Sequence, residues 1–164
     1  MLIAGASRHA KDLLTVLEEH NVIYSFFDDV TADLETFFGY PVLRSLDEVK
    51  KHFKSKGNPF GLGVGSPKTR ITLSLKIENI GGRLTSIASS KAIIGKYDVH
   101  LGDGLNVMPY VLLSNDIEIG KGTLLNTGSY VHHDCRIGEF CELSPGCKIL
   151  GGVQIGKYTS IGTN

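Results

Sequence analysis

The aliphatic residues of the C-terminal half recur at every sixth position. Stepping by six from Leu101 gives Val107, Leu113, Ile119, Leu125, Val131, Ile137, Leu143, Ile149, Ile155 and Ile161, without an exception. Four positions further on, the residues are mostly small or β-branched, as at Val111, Ile117, Thr123, Ser129, Cys135, Cys141 and Cys147. Neither the period of a half-buried strand nor that of a helix keeps such a phase. A triangular prism does. Each hexapeptide is one short strand plus a corner, three make one coil, and coils stack at about 4.8 Å. An antiparallel β protein would place its turn signals less regularly. A glycine often follows the inward aliphatic, as at Gly102, Gly120, Gly138 and Gly156, and is expected there to relieve strain in the turn. The expected architecture for residues 84–164 is therefore a left-handed parallel β-helix. Ile87, Ile93 and Val99 also step by six but out of phase with Leu101, so residues 85–100 read as a first coil with a slipped corner.

The same count disposes of the cysteines. Cys135, Cys141 and Cys147 are six residues apart, so each falls on a different face of the prism and none stacks on another. They read as small buried apolar residues, not as a disulfide or metal set.

Residues 1–83 have another texture. Met1–Ala4 reads as a strand, Gly5–His9 as a turn, and Ala10, Leu13, Leu14 and Leu17 as one face of a helix. Val22–Phe27 is a second strand ending at Asp28 and Asp29. Ser45 and Glu48 form a capping box for a helix over 46–54. Phe60–Val64 is a third strand, and Pro67 opens another helix. Strands alternating with helices indicate a small Rossmann-like α/β sheet, with ligands expected at the carboxyl ends of its strands. Three loops meet there: Gly5–His9, Asp28-Asp29 and Gly65–Arg70. The first is placed to offer backbone N–H groups to a phosphate, and Asp28 or Asp29 to accept from a ribose or base. A purely structural turn fits Gly5–His9 as well, since the G-x-G-x-x-G fingerprint is absent.

The 17 basic and 17 acidic residues cancel, which gives no electrostatic footprint for nucleic acid or a membrane surface. No apolar run approaches the roughly 20 residues that span a bilayer, and the N-terminus lacks a secretory pattern. A cytoplasmic protein is expected.

Taken together, Gly5-Ala6-Ser7-x-His9, Phe27-Asp28-Asp29, Gly39-Tyr40-Pro41-Val42-Leu43 and Gly63-Val64-Gly65, followed by a hexapeptide β-helix, resemble the bacterial sugar-nucleotide N-acetyltransferases. Sialic acid O-acetyltransferases share that architecture. Within the β-helix the resemblance is carried by Val107-Met108-Pro109-Tyr110-Val111, Leu125-Asn126-Thr127, His133-Asp134-Cys135, Ile137-Gly138-Glu139-Phe140 and Gly151-Gly152-Val153. It implies acetyl transfer from acetyl-CoA to the amine of a nucleotide-linked amino-dideoxy sugar, within a homotrimer. It implies His133 as general base with Asp134 as its acidic neighbour, Asn126 near the amino sugar, and Gly151, one coil above His133, as a backbone donor to the acetyl carbonyl. Gly5, Ser7, His9, Asp28, Asp29, Gly65 and Arg70 become the nucleotide-sugar site. Arg8 and Ala10 stand where the family has glycine.

Ile161 is still in phase where the sequence stops, whereas members of this family continue for more coils. The resemblance therefore implies an incomplete acetyl-CoA groove and weak activity. O-acetylation of a sialic acid and a catalytically impaired sugar-nucleotide-binding fragment are the competing readings. A zinc enzyme of the β-helix carbonic anhydrase kind would need three histidines at one site. His9, His20, His52 and His100 lie in or near the other domain, away from His132 and His133.

Overall fold

A computed structural model describes residues 1–163. The apolar strand β1 (Leu2–Ala4) is buried inside a six-stranded sheet. Helix α1 (Arg8–Leu17) follows it and buries Ala10, Leu13, Leu14 and Leu17, the face its spacing predicts. Strand β2 (Ser25–Phe27) is shorter than expected, because its pairing with β1 begins at Leu2 and Ser25, while Val22 and Ile23 are exposed and only the Met1 amine reaches the Ile23 carbonyl, at 2.9 Å. A hairpin not foreseen from the sequence comes next, β3 (Thr36–Phe37) and β4 (Tyr40–Leu43), joined by Phe38 and Gly39 in left-handed conformations (φ 49° and 82°). Helix α2 (Leu46–Lys56) is capped by Ser45, whose hydroxyl accepts from the Glu48 N–H at 3.3 Å. Strand β5 (Pro59–Leu62), helix α3 (Pro67–Glu78) with its proline in the first turn, and strand β6 (Arg83–Leu84) complete this half. The sheet order is β3-β4-β2-β1-β5-β6, parallel except for the hairpin.

Thirteen strands of two or three residues follow, from Ile87–Ala88 to Ser160–Ile161. They stack as three parallel sheets of five, four and four strands, the faces of a prism. Val107, Leu125, Leu143 and Ile161 are in register on one face. Leu113, Val131 and Ile149 are in register on the second, and Leu101, Ile119, Ile137 and Ile155 on the third. The three cysteines are buried and free, one ahead of a strand on each face.

The corners correct the expectation about glycine. Positive φ falls at every sixth residue from Asp98 to Tyr158, through Gly104, Tyr110, Asp116, Gly122, Gly128, Asp134, Phe140, Gly146 and Gly152. These residues sit three positions after the inward aliphatic, not one. The glycines directly after the aliphatic have another reason to be there. A Cβ on Gly120 or Gly138 would stand 2.5 or 2.6 Å from a backbone nitrogen of the next coil. Close approach, not backbone strain, excludes a side chain at those positions.

The slipped corner is present. Ile87 pairs with Asn106 and Ile93 with Leu112, an offset of nineteen, while Val99 pairs with Ile117 at eighteen. The surplus residue lies between Ile94 and Val99.

One apolar core runs through both halves, with Leu13 and Leu17 of α1 in the same cluster as Leu105 and Val107 of the prism. Polar clamps reinforce the join. The Glu19 carboxylate accepts from Ser89 and Ser90 at 2.6–3.1 Å, and Lys121 reaches Glu78 at 2.7 Å. Among the described residues no helix is long and apolar enough to cross a membrane.

Candidate active site

Tyr130 and Val131 form a short strand, and the chain turns a corner directly after it. His132 and His133 lie on that corner, and their surroundings separate them. The His132 ring stacks on Tyr130 with centroids 4.2 Å apart. His133 is exposed, and its Nδ1–H donates to Asp134 Oδ2 at 2.6 Å. That pairing fixes the neutral tautomer, with Nε2 free to accept a proton. Asp134 itself is one of the left-handed corner residues (φ 61°), a conformation that aspartate tolerates better than most side chains. The hydrogen bond from His133 holds its carboxyl below the usual carboxylate range, with Asp116 and Arg136 acting in the same direction.

One coil above, Gly152 N–H donates to the His133 carbonyl at 3.0 Å, and the imidazole lies against the bare Cα of Gly151. Gly151 is exposed, and among the described residues its N–H has no hydrogen-bond partner. A base with a fixed tautomer thus stands beside an unused backbone donor. Acyl transfer to an amine or hydroxyl calls for that combination.

The loops at the carboxyl ends of β1, β2 and β5 enclose a second region. Gly5 (φ 105°) donates to the Phe27 carbonyl at 2.8 Å and is pressed so closely on Val64 that a Cβ would stand 2.4 Å from its Cγ1. Gly5, Ser7, Phe27, Asp28, Asp29 and Val30 line a cavity of about 230 Å³. A neighbouring groove of about 410 Å³ is lined by Ser7, Arg8, His9, Gly65, Ser66 and Thr69. The N-termini of α1 and α3 meet there, and neither Ser7 nor Ser66 uses its side chain as a cap. The His9 ring is buried at the groove with Nε2 unpartnered. Burial, with Arg70 nearby, pushes its pKa down to about 4, so it is neutral.

Three expectations for this region change on the structure. Arg70 is fully buried. Its guanidinium donates to the carbonyls of Val64 and Gly122 at 2.7 Å and to Asn106 Oδ1 at 2.6 Å. Burial lowers its pKa to about 9, which still leaves it charged at neutral pH. It therefore ties the loop to the prism and, being fully buried, offers nothing to a phosphate in the groove. Asp28 is also engaged, its carboxylate accepting from Val30 N–H, Thr31 N–H and Thr31 Oγ at 2.9–3.0 Å. Burial raises its pKa, but these hydrogen bonds and Arg44 outweigh that and hold it below the ordinary carboxylate range. Asp29 lines the cavity but is paired with Lys76.

Asn126 lies elsewhere. With Asp12, Thr15, Lys91 and Tyr110 it lines a groove of about 430 Å³ between α1 and the prism, and its Oδ1 accepts from Thr127 N–H at 2.9 Å. It occupies the corner before that of His133, and His133 is not among the residues that line this groove. The Asx turn at Asp28 was open to sequence reading, because an aspartate in a loop readily bonds the backbone two residues on, here Val30 N–H.

Comparison with known proteins bears on both regions. Residues 1–77 match the PglD N-terminal domain family. A GDP-perosamine N-acetyltransferase of Escherichia coli O157:H7 is 27% identical over 168 residues, covering 98% of this chain and 74% of that protein. PerB of Caulobacter crescentus, solved in complex with CoA and GDP-perosamine, superposes with a TM-score of 0.84 at 26% identity, over 99% of this chain and 85% of that one. WeeI of Acinetobacter baumannii gives 0.85 at 29% identity, over 99% and 77%.

Proposed function

We propose, for a chain that belongs to the sugar N-acetyltransferase family, that it moves the acetyl group of acetyl-CoA onto the amine of a nucleotide-linked amino sugar, with His133 as general base. The observation that carries this reading is the His133–Asp134 hydrogen bond of 2.6 Å beside the unpartnered Gly151 N–H. The sugar amine attacks the thioester carbonyl, and Nε2 of His133 takes a proton from the nitrogen as the C–N bond forms. The oxyanion of the tetrahedral intermediate accepts from Gly151 N–H. The C–S bond then breaks, and His133 returns its proton to the departing sulfur. Asp134 holds the ring and favours the imidazolium that forms in passing.

The division of labour follows the two halves of the chain. Residues 1–83 hold the nucleotide, its base in the cavity beside Phe27 and Val30 and its diphosphate at the N-termini of α1 and α3, near Ser7, His9 and Gly65. Asp28 shapes that loop, and Asp29 fixes it through Lys76. Residues 84–164 hold the acyl donor on a left-handed prism, and Asn126 meets the amino sugar. A homotrimer fits the apolar side chains that the prism leaves uncovered, among them Ile93, Tyr110 and Leu150. A cytoplasmic location fits the use of acetyl-CoA.

The test is thiol release from acetyl-CoA with GDP-perosamine as the probe acceptor. Release is expected only when the acceptor is present, and His133→Ala should slow it by about 10²-fold or more. A change of less than about threefold, far below what a general base contributes, sinks the role.

A further inference from the structure

We propose that Arg136 and Asp116 are positioning residues that tune the basicity of His133 through the opposite charges they place beside the His133–Asp134 pair; the proposal rests on the reading of His133 as base. The register of the prism stacks residues eighteen apart, as Glu118 with Arg136 and Ile119 with Ile137. Asp98, Asp116 and Asp134 consequently form a column at one corner, all with left-handed backbone (φ 52°, 51° and 61°). The column places the Asp116 carboxylate one strand spacing from the His133–Asp134 pair.

Arg136 supplies the opposite charge. Its guanidinium reaches back one coil, with Nη2 donating to Asp116 Oδ1 at 2.8 Å and Nη1 to the Asp116 carbonyl at 2.9 Å. Nη1 also meets the Cys135 carbonyl at 3.1 Å, and Nε stands 3.9 Å from Glu118. The cation is thus fixed by four contacts over the carboxylate that neighbours Asp134. The other charged groups around this corner are few. Asp98 is paired with His100 at 2.9 Å, Lys148 stands over Tyr130, and the coil above presents only Gly151 and Gly152. The His132 ring, with its centroid 6.0 Å from that of His133, is the other titratable group at this corner, and Arg136 and Asp116 are the permanently charged pair on its other side.

The signs follow from charge. Removing Arg136 leaves an extra negative charge near the imidazole, favours its protonated form, and raises the pH at which it becomes an available base. Removing Asp116 leaves an extra positive charge and does the opposite.

The experiment is an NMR titration of the imidazole C–H signals in the full chain, with the His133 resonance assigned from the spectrum of His133→Gln. Arg136→Gln should move the His133 midpoint upward by about half a pH unit, the size of one screened unit charge at close range. Asp116→Asn should move it downward by a similar amount, the double variant should lie near the parent, and Arg136→Lys should leave it in place. Raising the salt concentration should shrink the shifts. Asp116→Asn and Arg136→Lys serve if Arg136→Gln does not fold. Midpoints unmoved in Arg136→Gln and Asp116→Asn overturn the proposal while leaving the base reading intact. Full acetyl transfer by His133→Ala overturns it for the other reason, that no base is there to tune.

Discussion

A Cβ on residue 151 would stand 2.7 Å from Cε1 and 3.0 Å from Nε2 of His133, so the glycine one coil above leaves just the room that the imidazole occupies. The backbone at Gly151 is not left-handed, so alanine there is acceptable to the main chain and objectionable only to His133. Gly151→Ala should therefore displace the ring while sparing the fold. We expect acetyl transfer to fall by about tenfold or more, since a misplaced base loses most of its contribution. The thermal midpoint should move by no more than about 2 °C, as for a substitution outside the core. Kinetics and melting of the same preparation check this, and undiminished turnover contradicts it.

Arg70→Met strips donors from Val64, Gly122 and Asn106 at once, in a region closed to water. The acceptors left behind are costly, at about 1–3 kcal/mol each. A loss of about 3–5 kcal/mol is expected, or about 10 °C in a chain of this size. Denaturant unfolding measures it, and a loss under about 1 kcal/mol, the level of an ordinary surface change, contradicts the interior role assigned to this arginine.

His9 gives the protein an acid weakness. The folded state holds its ring neutral down to about pH 4, while the unfolded chain binds the proton near 6.5. Unfolded molecules therefore bind more protons between those values, and stability drops as pH falls through that window. The full contribution is about 3 kcal/mol. His9→Gln should flatten this part of the profile. Melting temperatures of parent and variant at pH 7 and pH 4.5 test it, and parallel profiles count against it.

The prism was legible because its signal is repeated. Eleven aliphatics in one phase fix the strands, the inward face, the separation of the cysteines and the stacking of residue 151 on residue 133. The corners were less legible. Asp98, Tyr110, Phe140 and Tyr158 adopt positive φ in places where glycine would have announced it. Their conformation is imposed by the stacked strands and not by local preference. Arg70 was misread for a related reason. Its helix begins at a ligand-facing loop, but its partners Asn106 and Gly122 are supplied by coils 36 and 52 residues away, and no local pattern records them. The His133–Asp134 pair needed only adjacency, which sequence shows directly.

The unbroken run of left-handed corners from Asp98 to Tyr158 also limits how such a gene can change in length. One residue gained or lost within a strand would rotate every later inward side chain out of the core, and would carry Gly151 away from His133. Insertions can survive only as loops that bulge from a corner, or as whole turns of the prism placed outside the interval between those two residues. The single departure from the rule, the surplus residue between Ile94 and Val99, occurs in the first coil, ahead of His133 and Gly151. Variation in length should accumulate there and spare the interval from 133 to 151.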